Sequence, residues 1–201
     1  MNRRDALLGL SAMTAALGGC ASTPTLSCEV TTFGQWPAGM AAGSFVFDRL
    51  PSQQANPQAA VALESLVRPA LAIAGFVESA DNDSAKFLVQ SGARTSRSIR
   101  APWEDPLWWR GGAHIRSWGH PGWSHRWRTD APRYEREVAL LLRDRSSGMP
   151  VYEARATSEG YSSASAEVLR AMFMACLQHF PEIFTTPKTV VVPLGISTAT
   201  R

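Results

Sequence analysis

The chain has 201 residues, of which 45% are hydrophobic and 18% charged, with a formal net charge of +3. This excludes a disordered polyelectrolyte, and so small a charge gives no case for a nucleic-acid protein. No apolar run reaches the roughly 18 residues that a membrane-spanning helix needs, so an integral helical bundle is excluded, and the length suits one sizeable domain.

Residues 1–19 read as an export signal: Arg3 and Arg4 in a basic head, an apolar stretch from Ala6 to Leu17, then Gly18 and Gly19. Leu17-Gly18-Gly19-Cys20 resembles the lipobox of bacterial lipoproteins. The resemblance implies cleavage before Cys20 and acylation of that residue, palmitate included. The membrane is then a partner through the acyl anchor, since two or more chains hold a protein firmly. Ala21 and Ser22 follow in place of the Asp that retains lipoproteins in the inner membrane. The expected location is therefore the outer membrane, facing the periplasm. Arg3-Arg4 fits either a general secretory head or a twin-arginine signal. Cleavage leaves 182 residues and removes Arg3, Arg4 and Asp5, so the charge becomes +2.

Residues 20–27 are expected to be the lipidated Cys and its tether, and residues 28–196 a single domain. Cys28 to Phe33 alternates and is β-rich, a strand. A Gly- and Pro-containing loop leads to a second strand at 44–49, then a turn over 51–55. Asn56-Pro57 is a helix start, Asn as cap and Pro at the first helical position. Leu63, Leu66, Val67, Ala70, Leu71 and Ala74 recur at helical spacing, with Gly75 as the stop. Pro69 lies off that stripe and is expected to kink the helix on its solvent side.

Phe76-Val77 leads into an acidic turn, and residues 86–93 form a third strand. Residues 134–143 and 151–157 alternate around Asp144–Gly148, a β-hairpin with Tyr134, Val138, Leu140 and Leu142 on one face. Ser162 or Ser163 opens a second helix with a stripe of Leu169, Met172, Phe173, Cys176 and Phe180, ended by Pro181. Residues 188–194 are a last strand, at a sheet edge because Pro193 lacks a donor. The expected class is α+β, a mostly antiparallel sheet of about six strands with two helices on one face, in the order β-β-α-β-loop-β-β-α-β.

The segment 94–133 breaks the pattern. Residues 94–136 hold nine Arg, four acidic residues and six of the seven Trp: Trp103, Trp108, Trp109, Trp118, Trp123 and Trp127. Four readings apply to this Trp/Arg-rich loop. It is a lid with Trp rings as extra core, or a surface for headgroups or an envelope protein that uses Arg110 and Arg116 with the rings. It is otherwise a glycan-stacking platform, or a metal site on His114, His120 and His125 whose spacing matches no standard ligand pattern. Cys28 and Cys176 remain after Cys20. A disulfide between them is permitted in an exported compartment, and two unrelated buried thiols are the alternative.

No phosphate-binding loop, nucleophile elbow or His-Glu-x-x-His motif is present. No catalytic residue, cofactor or resident metal is expected. A set of short motifs runs in order along the chain: Thr32-Phe33 with Trp36-Pro37, Phe45-Val46-Phe47, Ala74-Gly75-Phe76, Asp144 with Ser147-Gly148 and Val151-Tyr152, and Phe180-Pro181. With the lipobox, this order resembles the bacterial lipoproteins of the family called domain of unknown function 4136. The resemblance implies the fold class and the envelope location, and carries over no enzymatic residue. The chain departs from the family in having Arg, Trp and His where many members have Gly, Pro and Tyr. The functional expectation is a non-enzymatic binding or assembly factor, with a peptidoglycan- or glycan-binding module as the alternative and a metal-dependent hydrolase behind it.

Overall fold

The computed structural model of the protein describes residues 24–81, 83–98 and 133–195. In chain order it contains β1 (Thr25–Gly34), β2 (Ser44–Phe47), α1 (Pro51–Gln54), α2 (Pro57–Ile73), β3 (Val77–Glu78), β4 (Phe87–Ser98), β5 (Arg133–Asp144), β6 (Pro150–Gly160), α3 (Ala166–Leu177) and β7 (Lys188–Pro193). The seven strands form one sheet in the order β3-β2-β4-β5-β6-β1-β7. β2 runs parallel to β3 and β4, and the other pairs are antiparallel. The class is α+β, and β7 stands at an edge.

Strand alternation gives the sheet two unlike faces. On β4, β5, β6 and β1 the inward residues include Val89, Leu140, Leu142, Tyr152, Ala154, Val30 and Thr32, all buried. All but Thr32 share one core cluster with Val67 and Leu71 of α2 and Met172 and Phe173 of α3, so both longer helices cover the same face. Burying these side chains stabilises the fold by roughly 1.5–3 kcal/mol for each large one. Tyr152 is fully buried and its hydroxyl donates to the Cys176 carbonyl at 3.0 Å.

α2 starts as the sequence predicts: Asn56 accepts from the Ala59 N–H, and Pro57 fills the first position. It stops in a Schellman turn, in which Phe76 N–H donates to Leu71 O and Gly75 (φ 90°) N–H donates to Ala72 O. Within the stripe, Leu63 and Leu66 are only half-buried, whereas Glu64 is buried. Its carboxylate takes Arg49 Nε at 2.6 Å and Nη2 at 2.9 Å, a bidentate pair that ties the end of β2 to α2. Pro69 does not face open solvent. It is half-buried and lines the cleft between α2 and α3. α3 begins at Ser165, which caps Val168 N–H, two residues beyond the serines expected to start it.

Most other departures from the sequence reading have one cause: backbone pairing extends strands where no burial pattern marks them. β4 runs to Ser98 and β5 begins at Arg133, paired Ser98 to Arg133, so the unmatched segment is 99–132 rather than 94–133. β1 begins at Thr25, opposite Pro193, so the domain starts three residues earlier than expected. Residues 51–54 form a helical turn instead of an open one, closed by the Gln53 side chain accepting from Leu50 N–H. β3 is a two-residue strand that pairing with β2 creates beyond the expected six. In the hairpin turn, Asp144 accepts from Ser146 Oγ, Ser147 N–H and Ser147 Oγ, and these bonds hold its carboxyl down to about 2.

The register also fixes the two ends of the sheet. Thr25, Pro193, Gly160, Arg133 and Ser98 lie at one end, called proximal because the chain enters it from Cys20. Gly34, Pro150, Asp144 and Phe87 lie at the distal end. There Trp36 stacks on Phe87 at 5.3 Å and meets Phe180 edge-on at 4.7 Å. Gly34 has φ 115°, and a Cβ on it would stand 2.7 Å from Val151 O, whereas a Cβ on Gly39 (φ 76°) would meet nothing within 4 Å. Gly34→Ala should therefore lose about 2 kcal/mol or more, and Gly39→Ala only about 1 kcal/mol, from backbone strain alone. Urea unfolding of both variants checks this, and equal losses would contradict it.

Candidate interaction surface at the proximal end

The face of the sheet away from the helices is polar. Cross-strand pairing lines up Thr189, Glu29, Thr157, Glu137 and Arg94 in one row. The next row toward the proximal end holds Glu159, Glu135 and Ser96. These residues line an open groove of about 490 Å³. Glu135 stands directly opposite Glu159, a like-charge neighbour pair. Arg133 reaches Glu159 at 3.3 Å and lies over the Tyr161 ring at 5.5 Å.

The helix side of the same end is different. Arg136 follows the inward phase of β5 with Val138, Leu140 and Leu142, and is 4% exposed. Its Nη2 donates to Ser162 O at 2.6 Å and lies 3.4 Å from Ser162 Oγ. Its Nε has no acceptor. A Cβ on Gly160 would run into the guanidinium, so glycine at that position makes its seat. Arg170 of α3 lines the cleft with Ala166, Val192 and Pro193, and its Nε is also buried without an acceptor.

Cys28 and Cys176 are free buried thiols of the core. Burial pushes Cys28 up to about 11, against a lowering by the Arg136 charge nearby. Burial raises Cys176 as well. Both are protonated at neutral pH, and a thiol nucleophile must be a thiolate. His179, three residues beyond Cys176, has its ring against Phe184 at 6.2 Å. Among the described residues no group of His, Cys, Asp and Glu is placed to hold a metal ion. No helix of the described residues is long and apolar enough to cross a membrane.

Cys20, the six tryptophans Trp103, Trp108, Trp109, Trp118, Trp123 and Trp127, and Arg110, Arg116, His114, His120 and His125 lie outside the described residues. The remaining tryptophan, Trp36, belongs to the distal aromatic cluster. Sequence reading passed over Arg136 although the signal was there: an Arg in step with Val138, Leu140 and Leu142 falls on the apolar face of a half-buried strand.

The groove yields a direct test. Glu135→Gln removes the repulsion from Glu159 and should raise stability by about 0.2–1 kcal/mol at low salt, with the gain shrinking at 1 M salt. A loss of stability in urea titrations would show that the two carboxylates do not repel.

The structure can be set beside known proteins. A PDZ domain protein from Parabacteroides distasonis superposes with a TM-score of 0.53 at 12% identity, over 92% of this chain and 43% of that one. The likeness shows a shared fold, and the chain spans under half the length of that relative. PelC dodecamers from Paraburkholderia phytofirmans reach TM-scores of only 0.36 and 0.38 at 15% and 14% identity, over 75% of this chain and 94% of theirs. No curated protein matches. The sequence profile of the domain of unknown function named DUF4136 matches residues 29–182, from β1 through α3 to the turn before β7. The chain belongs to the DUF4136 family.

Proposed function

We propose that the chain is an exported, lipid-anchored envelope protein, a non-enzymatic binding or assembly factor whose proximal end faces the membrane surface. The observation that carries this reading is where the domain begins. Pro24 O accepts from Leu194 N–H at 2.7 Å, and β1 starts at Thr25. From Cys20 to Pro24 a fully extended chain reaches only about 14 Å. An acyl chain on Cys20 then holds the proximal end, not the distal one, against the lipid. The Trp/Arg-rich segment leaves β4 at Ser98 and re-enters β5 at Arg133, also at the proximal end. Its roots and the start of β1 share one end of the sheet, which supports a partner-binding role at the lipid surface. Trp and Arg suit that boundary, one as an amphipathic ring and the other as a charged fork on an apolar stem.

Metabolic labelling with palmitate tests the anchor. The native chain should carry label and sediment with membranes, while Cys20→Ser should be unlabelled and either uncut or released as soluble protein. Label retained on the Cys20→Ser protein would overturn the proposal.

A further inference from the structure

We infer that the proximal end carries an anion site built on Arg136, and that its ligand is a phosphate group, presented by the lipid headgroups that the anchored orientation brings to it. The lipid source rests on the function proposed above; the anion site itself does not.

The inference starts from a charge imbalance. Among the described residues, the buried side-chain polar atoms without a partner are Nε of Arg136 and Nε of Arg170. Both belong to the proximal end, Arg136 through Ser162 and Gly160, and Arg170 through its cleft with Pro193. Arginines that are far more exposed have carboxylates: Arg49 and Arg68, with side chains 34% and 38% exposed, hold Glu64 and Glu78 at 2.6 and 2.7 Å. Among the described residues Arg136, 4% exposed, has only the carbonyl and hydroxyl of Ser162. A buried charge without a counter-charge is destabilising, and buried arginines are almost always paired. A ligand anion resolves the imbalance.

The chemistry of the site selects phosphate. A guanidinium is a planar fork that meets phosphate oxygens in two parallel bonds, and here one arm is held by Ser162 O while the buried Nε has no acceptor. The Ser162 hydroxyl, near Nη2, can turn its proton toward an anion. Four residues on, α3 presents its N-terminus, where the helix dipole favours negative charge. The acidic residue of that first turn, Glu167, is exposed; Glu29, Glu135, Glu137 and Glu159 alternate with Arg136 along the strands onto the other face of the sheet, although Arg136 also contributes to the lining of their groove.

The test uses the full chain, with inorganic phosphate as the probe in thermal unfolding and chloride at matched ionic strength as the control. Phosphate a hundredfold above its Kd should raise the midpoint of the native chain by about 5–10 °C. Arg136→Met should fold with a midpoint no lower than the native chain in chloride and show no phosphate shift. Arg136→Lys keeps the charge without the fork and should bind at least tenfold more weakly, which preserves the test if the Met variant does not fold. Equal shifts in the native and Lys chains, or none in the native chain, would overturn the site.

Vesicles then separate the sources. Unacylated Cys20→Ser protein should sediment with phosphatidylcholine vesicles containing phosphatidic acid, weakly with phosphatidylcholine alone, and lose the difference on Arg136→Lys. A phosphate shift without that difference would uphold the anion site and overturn the lipid source, while palmitate labelling independently decides the anchor.

Discussion

Burial of a single sheet face under two helices is the constraint from which the rest follows. The alternation on β1, β4, β5 and β6 sends Val30, Val89, Leu140 and Ala154 toward α2 and α3, and leaves the other face polar. A one-residue slip in any strand would reverse this, so the register is fixed by burial. The antiparallel pairing of β4, β5, β6, β1 and β7 sets the strand directions. Thr25, Pro193, Gly160 and the Ser98–Arg133 pair must then share one end. The start of β1, the roots of the Trp/Arg-rich segment and Arg136 are neighbours because the core has only one way to close.

The two ends differ in chemistry as well as position. The distal end is closed by aromatic packing around Trp36, Phe76, Phe87 and Phe180, with ring centroids 4.7–6.1 Å apart. The proximal end holds the buried Arg136 and the half-buried Arg170, serines and a helix start, with carboxylates on the outer face. An end closed by rings is suited to stability. An end with two orphaned guanidinium nitrogens is suited to holding something else, since native structures rarely leave buried donors unpartnered.

Much of this was legible in the sequence where burial leaves a pattern. Alternation around Asp144–Gly148 marked the hairpin, Asn56-Pro57 and Gly75 marked both ends of α2, and Pro193 marked an edge strand. The signal faded where pairing proceeds without burial. Arg94 to Ser98 carry no apolar rhythm, yet their backbone pairs with β5 through Arg133. β3 was hidden for a related reason: it is two residues long and exists only through a non-local parallel contact with β2. Of the candidate site, the aromatic set of residues 103–127 caught the eye by composition, while Arg136 stood in plain phase with an apolar stripe. Its missing counter-charge depends on the distance to every carboxylate in the fold, which no sequence pattern carries.

Orientation at the membrane is the central claim, and depth-dependent quenching measures it most directly. Tyr161 and Met149 flank opposite ends of β6 and are 70% and 62% exposed. The strand's 11 residues separate them by about 35 Å. The native Cys28 and Cys176 are buried, so single cysteines introduced at these two positions can be labelled selectively with a fluorophore. With the acylated protein in vesicles carrying a headgroup quencher, the label at position 161 should be strongly quenched and the label at position 149 nearly unaffected. Equal quenching at both positions, or the reverse order, would contradict the account.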